Sequence, residues 1–275
     1  MFNEETLIAR QNKLLSEKPL FDIELTSRCN KRCPMCPRDA FERKNQDMDA
    51  STFDTLMQWI PQNCDIMFAG YGEPLLNKHF FDYLRIIHNS GKVNSVSVYT
   101  NAILLNKKLM QDLFTTGLDL LQVSITSIEE LATAKNIFSL SKDLNPVGKI
   151  RFNVLYRDQT DFDKIWEKIV QTFPNHSSNF FMKKIHNRGG SLFPFSYNSE
   201  LNSCGTFFKV TFIDANGNIQ ICSNDINGKN TLGNIQDITF KQLIALKQKY
   251  LGNSEIAKIC SKCSDEYRQK HFDEV

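Results

Sequence analysis

No stretch of the chain approaches the ~20 consecutive apolar residues that a membrane-spanning helix needs, so none is expected. An export signal is missing too. Met1 to Leu20 carries Glu4, Glu5, Arg10, Lys13, Glu17 and Lys18 and has no apolar core of the kind a signal peptide shows. Charge of a single sign is also scarce: 33 Lys and Arg face 31 Asp and Glu, a formal charge of +2. So weak a field calls for neither nucleic acid nor an anionic membrane as partner. With 41% of residues apolar, disorder is excluded as the dominant state. No internal repeat or low-complexity tract is visible. What remains is a globular chain of 275 residues, expected in the cytoplasm, with one large domain and a smaller appendage or two modest domains.

Cysteine is absent from residues 65 to 203 and clustered on either side. Cys29, Cys33 and Cys36 fall within eight residues, and Cys204, Cys222, Cys260 and Cys263 lie in the last 72. In a reducing compartment such clusters point to metal binding or catalysis rather than disulfides. Cys64 has no partner at ligand spacing and reads as a buried free thiol.

Between the clusters, apolar runs alternate with amphipathic segments. Strands are expected at Phe21–Leu25, Ile66–Ala69, Ser95–Tyr99, Leu120–Ile125, Ile150–Tyr156 and Phe180–Ile185. Helices are expected at Ser51–Ile60, Lys78–Ser90, Asn106–Thr115, Ile128–Leu144 and Asp161–Thr172. That alternation implies parallel βαβ units, an α/β fold. An open barrel and a doubly wound sheet both satisfy the pattern, and in either the active residues gather at the C-terminal ends of the strands. The rhythm breaks at His186-Asn187-Arg188-Gly189-Gly190. A turn-rich stretch follows, then a hairpin of Phe207–Ile213 and Ile219–Cys222 around Asn216-Gly217, a helix over Asp237–Tyr250 and a cysteine-bearing tail. The division falls near residue 190, giving units of 1–190 and 191–275.

Cys29-Asn30-Lys31-Arg32-Cys33-Pro34-Met35-Cys36 sits just past the first strand. Zinc ordinarily takes four protein ligands in closed sites, so three cysteines would leave it unsatisfied. A 4Fe–4S cluster held by three cysteines keeps one iron open. The loop, with its lead-in Glu24-Leu25-Thr26, resembles the hallmark of the radical S-adenosylmethionine (SAM) enzymes. Met35 departs from the aromatic that many members place before the last cysteine. Gly70-Tyr71-Gly72-Glu73-Pro74 looks like that family's glycine-rich SAM-binding turn, with Glu73 suited to the SAM ammonium. Thr100-Asn101 falls where similar enzymes meet the methionine or ribose of SAM; a helix-capping Asn is the competing reading. The resemblance implies a partial (β/α)6 barrel, cleavage of SAM to a 5′-deoxyadenosyl radical, and hydrogen abstraction from a substrate carbon.

The four later cysteines also suit structural zinc by spacing alone. Their context, Asp214-Ala215-Asn216-Gly217-Asn218 through Cys222 and then Leu232-Gly233-Asn234-Ile235, resembles the SPASM/twitch extension of radical SAM proteins. The short, four-cysteine form implies one auxiliary 4Fe–4S cluster that carries electrons. Together the motifs resemble the twitch-type aminocyclitol dehydrogenases and imply oxidation of an alcohol to a ketone on a sugar-like or cyclitol small molecule. A flavodoxin or ferredoxin would serve as electron donor. His186 and Arg188 are the candidate catalytic residues, Arg188 by forking onto substrate oxygens and His186 as a proton carrier or a merely structural histidine. Strand four ends Ser124-Ile125-Thr126-Ser127 and runs almost at once into a helix, where many relatives have an Asp and a longer loop.

Other outcomes stay open. Modification of a ribosomally made precursor peptide is disfavoured by the roughly twenty residues ahead of the first strand, too few for a fused leader-binding domain. Redox-neutral epimerisation would need a thiol donor, and Cys64 lies away from the strand C-termini. Cyclase chemistry like that of the molybdenum-cofactor enzyme fits neither four late cysteines nor the terminal Asp273-Glu274-Val275.

Overall fold

The computed structural model describes residues 4–142, 144, 149–192, 204–252 and 256–265. Six strands form a parallel run: β1 (Leu20–Ile23), β2 (Cys64–Phe68), β3 (Val93–Thr100), β4 (Leu120–Ile125), β5 (Ile150–Tyr156) and β6 (Phe180–Lys184). Each pairs with its sequence neighbour, from Leu20 opposite Asp65 to Tyr156 opposite Lys184. Helices α2 (Ala50–Trp59), α3 (Phe80–Ser90), α4 (Lys107–Thr115), α5 (Leu131–Ser141) and α6 (Gln159–Thr172) connect them. This is the expected βα rhythm, with boundaries shifted by a few residues.

Local chemistry sets those boundaries. Asp49 begins α2 by accepting a hydrogen bond from the Thr52 N–H, and Asn106 and Asp158 do the same for α4 and α6. Each capped end satisfies a backbone donor that would otherwise be orphaned. Along β5, Ile150, Phe152 and Val154 are buried against the helices, while Arg151 and Asn153 take the opposite, inner face. Arg151 lies over the Phe181 ring at 4.1 Å, and Asn153 donates to Gln122 at 3.3 Å. No bulge divides the two, so they share a face as the alternation requires.

The C-terminal part departs from a separate hairpin. Strand β7 (Val210–Ile213) pairs parallel with β1, and β8 (Asn218–Gln220) and β9 (Thr231–Asn234) follow antiparallel. The result is one nine-stranded sheet in the order β6-β5-β4-β3-β2-β1-β7-β8-β9. Hydrogen bonding runs through it, for instance from Glu24 N–H to Ile213 carbonyl at 2.9 Å. The division at residue 190 is therefore crossed by sheet pairing; most of the turn-rich stretch beyond it, 193–203, lies outside the described residues.

Two elements differ from the sequence expectation. Residues Gly205–Lys209 form a short helix, α7, where strand was expected. A strand would send Phe207 and Phe208 to opposite faces; the helical turn buries both, with Leu14 and Ile221, in a second small core. Leu14 belongs to the other surprise, α1 (Glu4–Ser16), which packs on α7 from the far end of the chain. Its buried Gln11 accepts the Gly252 N–H at 2.7 Å. Helix α8 (Phe240–Gln248) appears where expected, opened by a capping box between Thr239 and Gln242. Among the described residues, no helix is long and apolar enough to cross a membrane.

Candidate active site

The parallel strands end around one cavity of about 290 Å³. Its lining unites Cys29, Cys33 and Cys36, the Gly70–Glu73 turn, Thr100 and Asn101, and His186 and Arg188. These residues are spread over nearly 160 positions of sequence, yet each follows a strand's C-terminal end. That is the location an α/β fold reserves for chemistry.

The cysteine loop is held from three sides. Glu24 accepts two hydrogen bonds from Arg43, at 2.5 and 2.8 Å, and a third from the Tyr71 N–H at 3.0 Å. Arg43 also donates to the Ile226 carbonyl at 2.9 Å. One buried carboxylate thereby ties the loop's exit, the glycine turn and the C-terminal segment together. Lys31 forms an ion pair with Glu130 at 2.6 Å, and Glu130 accepts from Thr126 backbone and hydroxyl. The short β4–α5 connection noted in the sequence thus braces the loop. Burial pushes the Cys33 and Cys36 thiols up, and the neighbouring thiols add to it. Such a donor set suits a cationic cluster, which relieves that repulsion by taking the thiolates.

Glu73 is almost wholly buried. Its Oε1 accepts from the Thr100 hydroxyl at 2.9 Å and the Leu75 N–H at 3.3 Å, and its Oε2 from the Asn101 N–H at 2.8 Å. Glu73 therefore joins the β2 and β3 loops, and a carboxylate oxygen's second lone pair leaves Oε2 able to take a ligand ammonium as well. Asn101 does not cap a helix; that role belongs to Asn106. Its side chain donates to Asn30 at 2.8 Å and to Cys29 Sγ at 3.6 Å while accepting the Ile103 N–H. Gly72 meets the loop so closely that an added Cβ would lie 1.9 Å from the Thr26 carbonyl oxygen. Gly72→Ala is therefore expected to cost about 3 kcal/mol or more of stability, since backbone rather than a movable side chain blocks the methyl; urea unfolding of the apo protein measures it.

On the other side of the cavity, β6 runs out into His186 and its neighbours. His186 accepts the Arg188 N–H on Nδ1 at 3.3 Å and places Nε2 3.4 Å from Asp265. Burial, then the Arg188 charge, pushes its pKa down to about 4. A neutral imidazole held this way is more a fixed acceptor than a proton carrier at neutral pH. The Arg188 guanidinium stands 5.7 Å from the Tyr71 ring centroid. Asn187, fully buried, donates to the Lys262 carbonyl at 2.6 Å and exchanges hydrogen bonds with Ser264 at 2.8 and 2.9 Å. It staples the cysteine-bearing tail to the barrel rim, a role that nothing short of the fold could reveal.

The four later cysteines also converge. Cys204 stands at the start of α7, Cys222 just after β8, and Cys260 and Cys263 bracket a single 3-10 turn. Burial raises the Cys204 and Cys222 thiols, and each is raised further by the others of the set. Cys263 Sγ accepts from Asn224 at 3.8 Å and from the Asp265 N–H at 3.5 Å. Among the described residues, no three or more His, Cys, Asp or Glu side chains gather tightly enough for one metal ion. The Tyr71 hydroxyl donates to the Ser223 carbonyl at 2.5 Å, so the Gly70–Glu73 turn touches the residue next to Cys222. Cys64 opens β2, buried, with its pKa pushed up to about 11 by burial, as an inert core thiol should be.

Asp22 also lines the cavity, and sequence reasoning missed it. It sits inside a short apolar run, and only the strand's alternation of faces could have signalled that it turns inward.

Several known proteins are similar to this chain. Residues 23–150 match the Radical SAM superfamily. The chain is 33% identical over 161 residues to the tungsten-containing aldehyde ferredoxin oxidoreductase cofactor-modifying protein of Pyrococcus furiosus, covering 56% of this chain but 44% of that protein. It is 27% identical over 272 residues to the S-adenosyl-L-methionine-dependent 2-deoxy-scyllo-inosamine dehydrogenase of Niallia circulans, covering 92% of this chain and 96% of that one. Its fold superposes on the crystal structure of BtrN in complex with AdoMet and 2-DOIA with a TM-score of 0.62 at 20% identity, over 91% of this chain and 94% of that one. The cysteine loop, the Gly70–Glu73 turn and Asn101 all lie within the stretch that matches the Radical SAM superfamily, so residues 23–150 carry a Radical SAM domain.

Proposed function

We propose that this protein oxidises a hydroxyl-bearing carbon of a cyclitol-like small molecule to a ketone, in the cytoplasm. The observation that carries the reading is the single cavity in which the cysteine loop, the Gly70–Glu73 turn and Arg188 face one another, beside a second cysteine set. Cys29, Cys33 and Cys36 hold the SAM-binding 4Fe–4S cluster; Gly70, Tyr71, Gly72, Glu73, Thr100 and Asn101 hold SAM; Cys204, Cys222, Cys260 and Cys263 hold the auxiliary cluster. When bound, the first cluster and SAM supply the hydrogen-abstracting radical and the second supplies an electron acceptor. The chain's own residues position the rest. Arg188 presents its guanidinium to the substrate oxygen, and His186 and Asn187 keep the tail docked and the site closed to water. The cavity's modest volume favours a compact polyol over a peptide. The full-length similarity to the Niallia circulans dehydrogenase supports the substrate class.

The test is anaerobic turnover of 2-deoxy-scyllo-inosamine deuterated at each ring carbon in turn. The expected result is one ketone formed per 5′-deoxyadenosine, with deuterium transferred from a single position. Abortive SAM cleavage without ketone, across a panel of cyclitols and sugar alcohols, would refute the reading.

A low-potential carrier of the flavodoxin or ferredoxin class would supply the electrons. A second, more open cavity of about 650 Å³ lies against the outer side of the cysteine loop and is lined by Lys31, Arg32, Arg38 and Lys44. This basic rim complements an acidic carrier. Arg32→Glu with Lys44→Glu, both at exposed positions, should raise the KM for flavodoxin by about tenfold while dithionite-driven turnover stays unchanged.

A further inference from the structure

We propose that Asp22 is the proton acceptor of the oxidation, taking the hydroxyl proton of the substrate radical on Oδ1 as the carbonyl forms. This rests on the oxidative reading above.

Asp22 lies in the middle of β1, in register with Met67 on β2 and Phe212 on β7. Its neighbours Phe21 and Ile23 point to the helical side, where Phe21 meets Trp59 and Phe240 edge-on. Asp22 takes the other face and lines the cavity. Asp22 is 7% exposed, and its Oδ1 is buried without a hydrogen-bond partner among the described residues. A buried acceptor left unmatched is costly, so a fold that retains one has a use for it. Glu24, two residues along, shows the contrast. Its carboxylate is consumed by Arg43 and the Tyr71 N–H, which leaves it nothing to do in the cavity.

The charged groups facing Asp22 are Glu24 on its own strand, Lys183 on β6 and Arg188 beyond β6. Burial, then Glu24, drives its pKa up, and Lys183 and Arg188 pull it back, leaving it at about 7. A base tuned there is half ionised at neutral pH and transfers protons in either direction with little driving force lost. Arg188 cannot accept a proton, and His186 is pushed too low to hold one, so neither of the two residues beyond β6 competes for this role. The balance closes. A substrate carbon that has lost a hydrogen atom bears a hydroxyl and one unpaired electron. Its O–H bond breaks, the proton goes to Asp22 and the C=O bond forms; the remaining electron would be taken up by the oxidised iron–sulfur cluster that Cys204, Cys222, Cys260 and Cys263 would hold.

The test compares wild type with Asp22→Asn, an isosteric change. In the holoenzyme, Asp22→Asn should lower kcat for ketone formation from 2-deoxy-scyllo-inosamine by about 10² to 10⁴. KM should move little, and SAM should still be cleaved to 5′-deoxyadenosine. The wild-type kcat should fall on the acid side with an apparent pKa near 7, and that limb should vanish in the variant. In the apo protein, raising the pH from 5 to 8 should lower the wild-type Tm relative to Asp22→Asn, because only wild type must bury a charge as the pH rises. A loss below threefold, or an acid limb unchanged in the variant, overturns the assignment. A rise in KM with kcat intact also overturns it, since Asp22 would then be a counter-ion for the substrate amine. The wild-type profile stands by itself should the variant fail to fold: no acid limb near 7 refutes the proposal. If wild type cleaves SAM yet forms no ketone, the oxidative reading has failed instead.

Discussion

Replacing Cys29, Cys33 and Cys36 together by alanine should abolish cleavage of SAM to 5′-deoxyadenosine, by a factor of about 10⁴ or more, while leaving the protein folded. The two halves of that statement have separate grounds. Chemically, the three thiols are the donor set on a loop that faces the cavity, with Asn101 donating to Cys29 Sγ and burial raising Cys33 and Cys36. Without thiolates no cluster is held, and among the described residues the cavity lining offers no other thiol. Structurally, all three cysteines are only partly buried. The loop is fixed by Lys31 with Glu130, and by Glu24 with Arg43, rather than by the sulfurs themselves. Circular dichroism should therefore match wild type when SAM cleavage, assayed by chromatography, is lost.

Glu24→Ala should produce the largest loss of stability, on the order of 3–5 kcal/mol. Glu24 is fully buried, and its removal strands the Arg43 guanidinium, itself half-buried, without a counter-charge. The Tyr71 N–H loses its acceptor at the same time. Because Arg43 also reaches the Ile226 carbonyl, the change loosens the contact between the cysteine loop and the C-terminal segment. A double-mutant cycle with Arg43→Met checks the mechanism. The pair should be far less damaging than Glu24→Ala alone, since removing both charges leaves neither unpaired. Additive losses in urea unfolding would show that the ion pair is not the source.

The parallel sheet was legible because its strands alternate with amphipathic helices, three of whose starts carry Asp or Asn caps. Asp49, Asn106 and Asp158 mark those boundaries within the chain itself. The cavity-lining motifs were legible because each follows a strand. What escaped depends on distant partners. Helix α1 owes its packing to Phe207 and Phe208, some 190 residues away, and those two phenylalanines turn helical only because both must be buried there. Strand β9 is half-exposed and contains Gly233, so its sequence carries no strand signature. The pairing of β7 with β1 draws the last part of the chain into the barrel's own sheet, and no local pattern encodes a partner almost 200 positions upstream. Asp22 was hidden for a related reason: a single acidic residue in an apolar run looks like noise until the faces of the strand are known.

Two iron–sulfur sites should flank one cavity. Iron and sulfide counts after anaerobic reconstitution test it most directly, on wild type and on the Cys29/Cys33/Cys36→Ala variant. Wild type should hold about eight iron and eight sulfide, falling to about four of each in the variant. Wild type with about four iron and one zinc, and a variant with zinc alone, would contradict it: the cavity would keep its radical chemistry but lose the electron acceptor that oxidation to a ketone requires.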